Sequence, residues 1–552
     1  MKTIAFLPVD DRPVNFDYPR YLARAAGLGL LLPPREWLGN PWRASRHASL
    51  VSWLVRAAAD ADALVVSVDT LGYGGLIPSR RSAEPVEVVL QRLDVLRELH
   101  SARPDRPILA SSVVMRIHRS DSAEEEKPYW ATWGRQMFRL SFLDHKTGLG
   151  AASAEEIAER DRLQAEIPDD IRRDYLAGRA RNHAINGAML GWAEEGVFDY
   201  LLLPQDDTAD YGWNIAEARR LDAAIRTRGL ADRAITYPGA DEIGCLLLAR
   251  HACRFAGFAP RVCPRYATPA GATIVTDYED RPLQELLRAH LAPLGGRIVD
   301  SPAESDLDLW FNSPAYHQGN SEAQWIVGAG VDAIRARVTP DFRPWLEAVL
   351  ESDGFRATSR EMESSERNPA EFTRALVADV RAGRPVAVAD VAFVNAADAA
   401  LCVRLEQHPE ITALAAFGGW NTAGNTLGTV LAQAVIRLIA QRHGATREQL
   451  AAHLEFLFLR FVDDHLYQAN ERTRCMIEDL PSLGCAPTME RLPDEIAPLV
   501  LASVERRLLA SARPLRDVFV ASGLVRDVHL SRIHLPWQRL FEVGFDVAVD
   551  LA

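Results

Sequence analysis

The chain reads as an α/β protein built on parallel strands, and three observations predict this. Short, almost wholly apolar runs alternate with amphipathic helices, as buried parallel strands do. Acids, arginines, amides and aromatics gather just after those runs. The 552 residues are 48% hydrophobic and 25% charged, a globular composition with enough apolar surface for a large core. The run count is eight: near 4–9, 29–32, 64–69, 108–115, 200–205, 234–239, 386–393 and 413–418. Eight is the number of a (β/α)8 barrel. The expectation is therefore a (β/α)8-like barrel with a small α/β insertion and a mainly helical C-terminal region. Two doubly wound α/β lobes are the alternative.

The elements follow in order. "TIAFLPVDDRPVN" opens the chain as a strand. Its apolar run is too short for a signal peptide and acids follow at once, which predicts a cytoplasmic protein. "LGLLLPPREWLG" is the second run. "DALVVSVDTLGYGG", "PILASSVVMRIHR", "FDYLLLPQDDTADYG" and "RAITYPGADEIG" are the next four, each preceded by a helical stretch. Residues 1–265 are read as the first part of the barrel. Residues 266–325 pack short strands and one helix into a small insertion or subdomain. Residues 326–444 complete the barrel with "PVAVADVAFVNAAD" and "ITALAAFGGWNTAGNTLG". Residues 445–552 are helical and end in alternating "HLPWQRLFEVGFDVAVDL", a strand or two.

Bulk properties exclude several classes. A net charge of −13 argues against nucleic acid and against a polybasic membrane anchor. No run approaches the length of a membrane span. The six cysteines include no CxxC pair, so neither a disulfide framework nor a thiolate zinc site is expected. Cys245 and Cys253 read as core. There is no HExxH, GxSxG or GK[ST] motif, and the 14 histidines do not cluster at ligand spacing. A homo-oligomer is compatible with these features.

Chemistry in parallel α/β architectures sits at the carboxyl ends of strands. The residues there are Asp10, Asp11 and Arg12 after the first run. Asp69, Tyr73 and Arg80 follow the third, and Arg116 and His118 the fourth. Gln205, Asp206, Asp207, Tyr211 and Trp213 follow the fifth, and Asp241 and Glu242 the sixth. Asn395, Trp420, Asn421 and Asn425 follow the last two. Helix capping accounts for any single acid in this set. It does not account for the same enrichment after nearly every strand. Aromatic platforms beside carboxylates and amides suit a sugar ring, so a small carbohydrate is the expected substrate. Paired carboxylates supply the acid and the anion of glycoside hydrolysis. Asp241 and Glu242 are the first catalytic candidates, and Asp206 and Asp207 the second. No cofactor is expected, although Asp10, Asp206, Asp207 and Asp241 have the oxygen chemistry of a Mg²⁺ or Ca²⁺ site. A metal-dependent hydrolase or lyase and a non-catalytic sugar-binding protein are the alternatives.

Two resemblances add to this. Asp241–Glu242 resembles the pair of retaining, substrate-assisted N-acetylhexosaminidases. That likeness implies Glu242 as the acid and Asp241 as the residue orienting a 2-acetamido group. Those enzymes commonly carry His-x-Gly-Gly before the pair, where this chain has Tyr237-Pro238-Gly239-Ala240. Over its whole length the chain resembles bacterial proteins grouped as domain of unknown function 4127. The carriers are "LPVDDRPVN", "DTLGYGGLIPSR", "LPQDDTADYG", "YPGADEIG" and "GGWNTAGNTLG".

Overall fold

All eight expected strands form in the computed structural model, which describes residues 2–552. Six of them build the first sheet: β1 (Thr3–Leu7), β2 (Gly29–Leu31), β3 (Ala63–Ser67), β4 (Ile108–Ser111), β5 (Tyr200–Gln205) and β6 (Ala234–Pro238). The order is β2-β1-β3-β4-β5-β6, and every pairing is parallel. Every residue of β3, β4 and β5 is buried. Parallel strands covered on both faces need such runs, because helices lie on each side of them.

The second sheet contains β7 (Arg261–Tyr266), β8 (Arg297–Ile298), β9 (Leu307–Asn312), β11 (Val386–Asp390) and β13 (Ala416–Gly418). Its order is β13-β11-β9-β7-β8, again wholly parallel. The short strands β10 (Gly319–Asn320) and β12 (Phe393–Val394) pair beside it, and β14 (Val525–His534) and β15 (Gly544–Leu551) form an antiparallel hairpin. The strands expected to close one eight-stranded barrel are thus divided, six in the first sheet and two in the second. Residues 266–325, expected as an insertion, supply β8, β9 and β10, with β9 at the centre of the second sheet.

Read from its first strand, each sheet starts in the order 2-1-3-4-5, so the winding direction reverses between the first and third strands. Helices make up 55% of the protein. The contacts define two units, one of residues 1–11, 28–247 and 278–280, the other of residues 12–27, 248–277 and 281–552. The helix Ala423–Arg442 is long and apolar enough to cross a membrane, but its apolar window is 89% buried within the protein. The C-terminal region is helical as expected, with one departure. From Phe461 to Glu471 the helix is wound as a π-helix, a form enriched at functional positions.

Candidate functional site

The first sheet assembles a site at the carboxyl ends of β3, β4 and β5. Ser67 ends β3 and caps the next short helix, its Oγ accepting from the Thr70 N–H at 3.2 Å. That helix places Asp69 under the site, where its Oδ2 accepts from the Val113 N–H at 3.0 Å. Gly74 and Gly75 follow with φ of 96° and 137°. Such angles strain any side-chain-bearing residue, and they let the chain turn into the helix Leu76–Arg81 that presents Arg80. After β4 the chain stays beside β5. The Ser112 N–H donates to the Leu202 carbonyl at 2.9 Å and the Val114 N–H to that of Pro204 at 2.8 Å. This extension brings Arg116 level with Asp206 and Asp207. Asp207 has a φ of 44°, and Asn214 holds its carbonyl at 2.9 Å. A non-glycine residue in the left-handed region costs about 1 kcal/mol or more and is over-represented at functional sites.

Two guanidiniums share four carboxylates there. Arg80 pairs with Asp206, with Glu125 at 2.9 Å and with Glu126 at 3.7 Å. Arg116 donates to Glu126 at 2.9 Å and pairs with Glu125 at 3.0 Å and Asp207 at 3.2 Å. Arg80 and Glu126 lie at the bottom, each with a side chain 2% exposed. Arg116, Asp206, Glu125 and Asp207 form the open edge, at 12–20%. Arg81 and Arg119 stand close enough to act on Glu126 and Asp207 as well.

Burial displaces the titrations there. Burial pushes the Asp69 carboxyl up to about 7, against the pull of the Val113 N–H and of Arg80. Asp207 is pushed up to about 6, by burial first; Arg116 opposes the shift and Asp206 adds to it. His118 is driven down to about 3 by burial and by Arg116, so its imidazole is neutral at pH 7. Its Nδ1 lies 3.0 Å from the Ser120 hydroxyl. The site therefore holds carboxyls able to carry a proton near neutrality beside others fixed by guanidiniums. That is the equipment of acid–base chemistry.

The remaining predicted residues fall in several places. Tyr73 is buried, with the Arg181 guanidinium 5.0 Å from its ring centroid. Gln205 is buried at the end of β5 and its Oε1 has no hydrogen-bond partner. Tyr211 and Trp213 are half-buried on the loop after Asp207. The helix Trp130–Gly148 holds that loop. His145 Nδ1 accepts from the Gly212 N–H at 3.0 Å, Ser141 Oγ from the Trp213 N–H at 2.7 Å, and Asp144 from the Trp213 indole at 2.8 Å. Asp10 is buried and Asp11 half-buried after β1. Asp241 is half-buried, whereas Glu242 is fully buried beside Tyr237. Arg12, Asn395, Trp420, Asn421 and Asn425 belong to the second unit.

That unit has its own buried polar cluster at the ends of β9 and β11. Asn312 donates to Asp390 at 2.9 Å and to Asp398 at 3.2 Å. Arg367 pairs with Asp398 and lies 3.5 Å from Glu361. Beyond β13, Asp464 accepts from the Gly419 N–H at 2.6 Å and pairs with Arg460. Asn395 and Asn421 both adopt positive φ, with the Asn395 N–H on the Asn421 carbonyl at 3.1 Å.

Sequence reasoning missed Glu125 and Glu126. They stand in the run "SAEEEKP", which reads as a solvated charged loop. Their signal was an acidic run a few residues beyond Arg116. No three or more His, Cys, Asp or Glu side chains are grouped to hold a metal ion among the described residues. In the first unit the carboxylates face guanidiniums instead.

A family model described as protein of unknown function, DUF4127, matches residues 4–546. The chain belongs to this family. No curated protein and no solved structure matches it. The DUF4127 match takes in both sheets and both polar clusters.

Proposed function

We propose that this protein is a hydrolase acting on a small carbohydrate, with the Asp206–Asp207 pair at its chemical centre. One observation carries the reading. Two consecutive carboxylates on the open edge of the site are held by different arginines, and burial pushes the Asp207 carboxyl up to about 6. Asp207 is the proton donor to a leaving oxygen. Asp206, ion-paired with Arg80, is the anionic partner for the positive charge that develops at the anomeric carbon. Tyr211 and Trp213 offer aromatic faces on the adjoining loop, and Arg116 and Gln205 offer polar contacts to hydroxyls. Glu242 was the first sequence candidate for the acid. Its full burial against Tyr237 favours giving that role to Asp207. The accompanying fold reading is a pair of doubly wound lobes, supported by the shared 2-1-3-4-5 strand order.

The test is turnover of a panel of p-nitrophenyl glycosides, 2-acetamido sugars included. Asp207→Asn is expected to lower kcat/KM on the responsive substrate by about 100-fold or more. Undiminished turnover in the Asp206→Asn/Asp207→Asn double variant overturns the assignment. If Glu242→Gln alone abolishes activity, with folding intact, the acid is Glu242 instead.

A further inference from the structure

The helix Asp169–Glu194 carries an unusual stripe. Tyr175, Arg179, Asn182 and Asn186 are all buried, at spacings of four, three and four. They share one helix face, where the periodicity calls for apolar residues. The same face continues with buried Met189 and Ala193, so the stripe is polar only along part of its length.

Each polar member donates to a backbone carbonyl in the loop after β4 or in the short helix Leu76–Arg81 that carries Arg80. The Tyr175 hydroxyl donates to the Arg116 carbonyl at 3.1 Å. Arg179 Nη1 donates to the same carbonyl at 2.9 Å, and Nη2 to that of Met115 at 2.8 Å. Asn182 Nδ2 donates to the Ser79 carbonyl at 3.0 Å, next to Arg80. Asn186 Nδ2 lies 3.3 Å from both the Ser112 and the Val113 carbonyls, at the residue whose N–H meets Asp69. Arg181, off the stripe, adds donors to the Ser79 and Ser82 carbonyls. Arg179 is held in turn by Glu217, its Nε donating to Oε1 at 3.0 Å. A buried ion pair contributes little net stability over an apolar equivalent. Irregular loop carbonyls do need donors, and this helix supplies them from fixed positions.

We infer that this stripe is a positioning device with two separate arms: Tyr175 and Arg179 set the backbone that aims Arg116, and Asn182 sets the one that aims Arg80. The inference rests on the site described above for its consequence, but its structural content is independent of the reaction. These side chains touch carbonyls behind the site. They are positioning residues, not catalytic ones.

The division into arms makes the device testable without a substrate. Phenylglyoxal labels exposed guanidiniums, and peptide mass spectrometry reads its rate at each arginine in the full-length protein. In the wild type Arg80 and Arg116 are held by carboxylates and label slowly, while the exposed Arg135 labels fast and serves as the reference. Tyr175→Phe removes one hydroxyl, and Arg179→Lys keeps the charge on Glu217 while losing the fork. Both are expected to speed labelling at Arg116 by about fivefold or more, with Arg80 unchanged. Asn182→Ala is expected to do the reverse. Equal acceleration at both arginines, or none, in variants that melt cooperatively near the wild-type temperature overturns the inference. Selective acceleration with no glycoside turnover upholds the positioning device and removes only the proposed reaction.

Discussion

The strand ends of the two sheets make an instructive pair. Both sheets begin in the same strand order, and both place acids, an arginine and an amide beyond central strands. In the second, Asn312, Asp390, Asp398, Arg367 and Glu361 are all buried, and the network closes on itself. Asp390 accepts from the Asp398 N–H at 2.8 Å, Asp398 caps its own helix, and Glu361 accepts from the Ala315 and Tyr316 N–H groups at 2.6 and 3.1 Å. In the first, the corresponding groups reach an open edge. Similar residue types thus build a strut in one place and a reactive surface in the other. Exposure decides which.

The largest expected effect breaks the strut. Arg367→Met leaves Asp398 buried without its cation, and is expected to cost about 3–5 kcal/mol in urea unfolding. A loss under about 1 kcal/mol means that the cluster is looser than its hydrogen bonds imply.

The next contrast concerns activity. Asp207→Asn, with its expected loss of about 100-fold or more, is to be set beside Asp390→Asn, which is expected to change stability while leaving kcat/KM close to wild type. Because Asp207 acts as an acid that titrates near 6, kcat/KM of the wild type is expected to fall as pH rises through about 6. A pH profile without that limb removes Asp207 from the role of proton donor.

The third test uses pH on the closed side. Burial, joined by Asp463, pushes the Asp464 carboxyl up to about 8 against the pull of Arg460. The folded state then holds a proton that the unfolded chain releases near the ordinary value of 3.8. Stability is therefore expected to fall as pH rises from about 4 to about 8, by up to about 1.4 kcal/mol per unit for this one group. Asp464→Asn mimics the protonated form, so its urea midpoint should change less over the same window. Parallel slopes in the two proteins contradict the shift.

The smallest effect is at the rim. Tyr211→Ala is expected to raise KM by about threefold to tenfold with kcat nearly unchanged, since a half-buried stacking face contributes about 1 kcal/mol. A fall in kcat with KM unchanged would place Tyr211 in the chemistry rather than in binding.

Much of this was legible in the chain alone. β3, β5 and β11 announce themselves as unbroken apolar runs, and Asp69, Arg80, Arg116, Asp206 and Asp207 stand where such runs end. β7 was harder, because "RVCPRY" interrupts its apolar residues with arginines and a proline. Glu125 and Glu126 were hidden for a related reason. A carboxylate in an acidic run looks solvated until two guanidiniums are known to face it. The polar stripe of the helix Asp169–Glu194 was hidden because its partners are backbone carbonyls, which every residue has.

The sequence by itself determined the α/β class, eight of the parallel strands and the residue types stationed at their ends, because burial on both faces of a parallel strand leaves a one-dimensional mark. Tertiary structure decided how those strands divide between two sheets and which of the acids share an arginine. Hydrogen bonds between strands and charges between loops join residues far apart in the chain, and no periodicity records which distant partner each one meets.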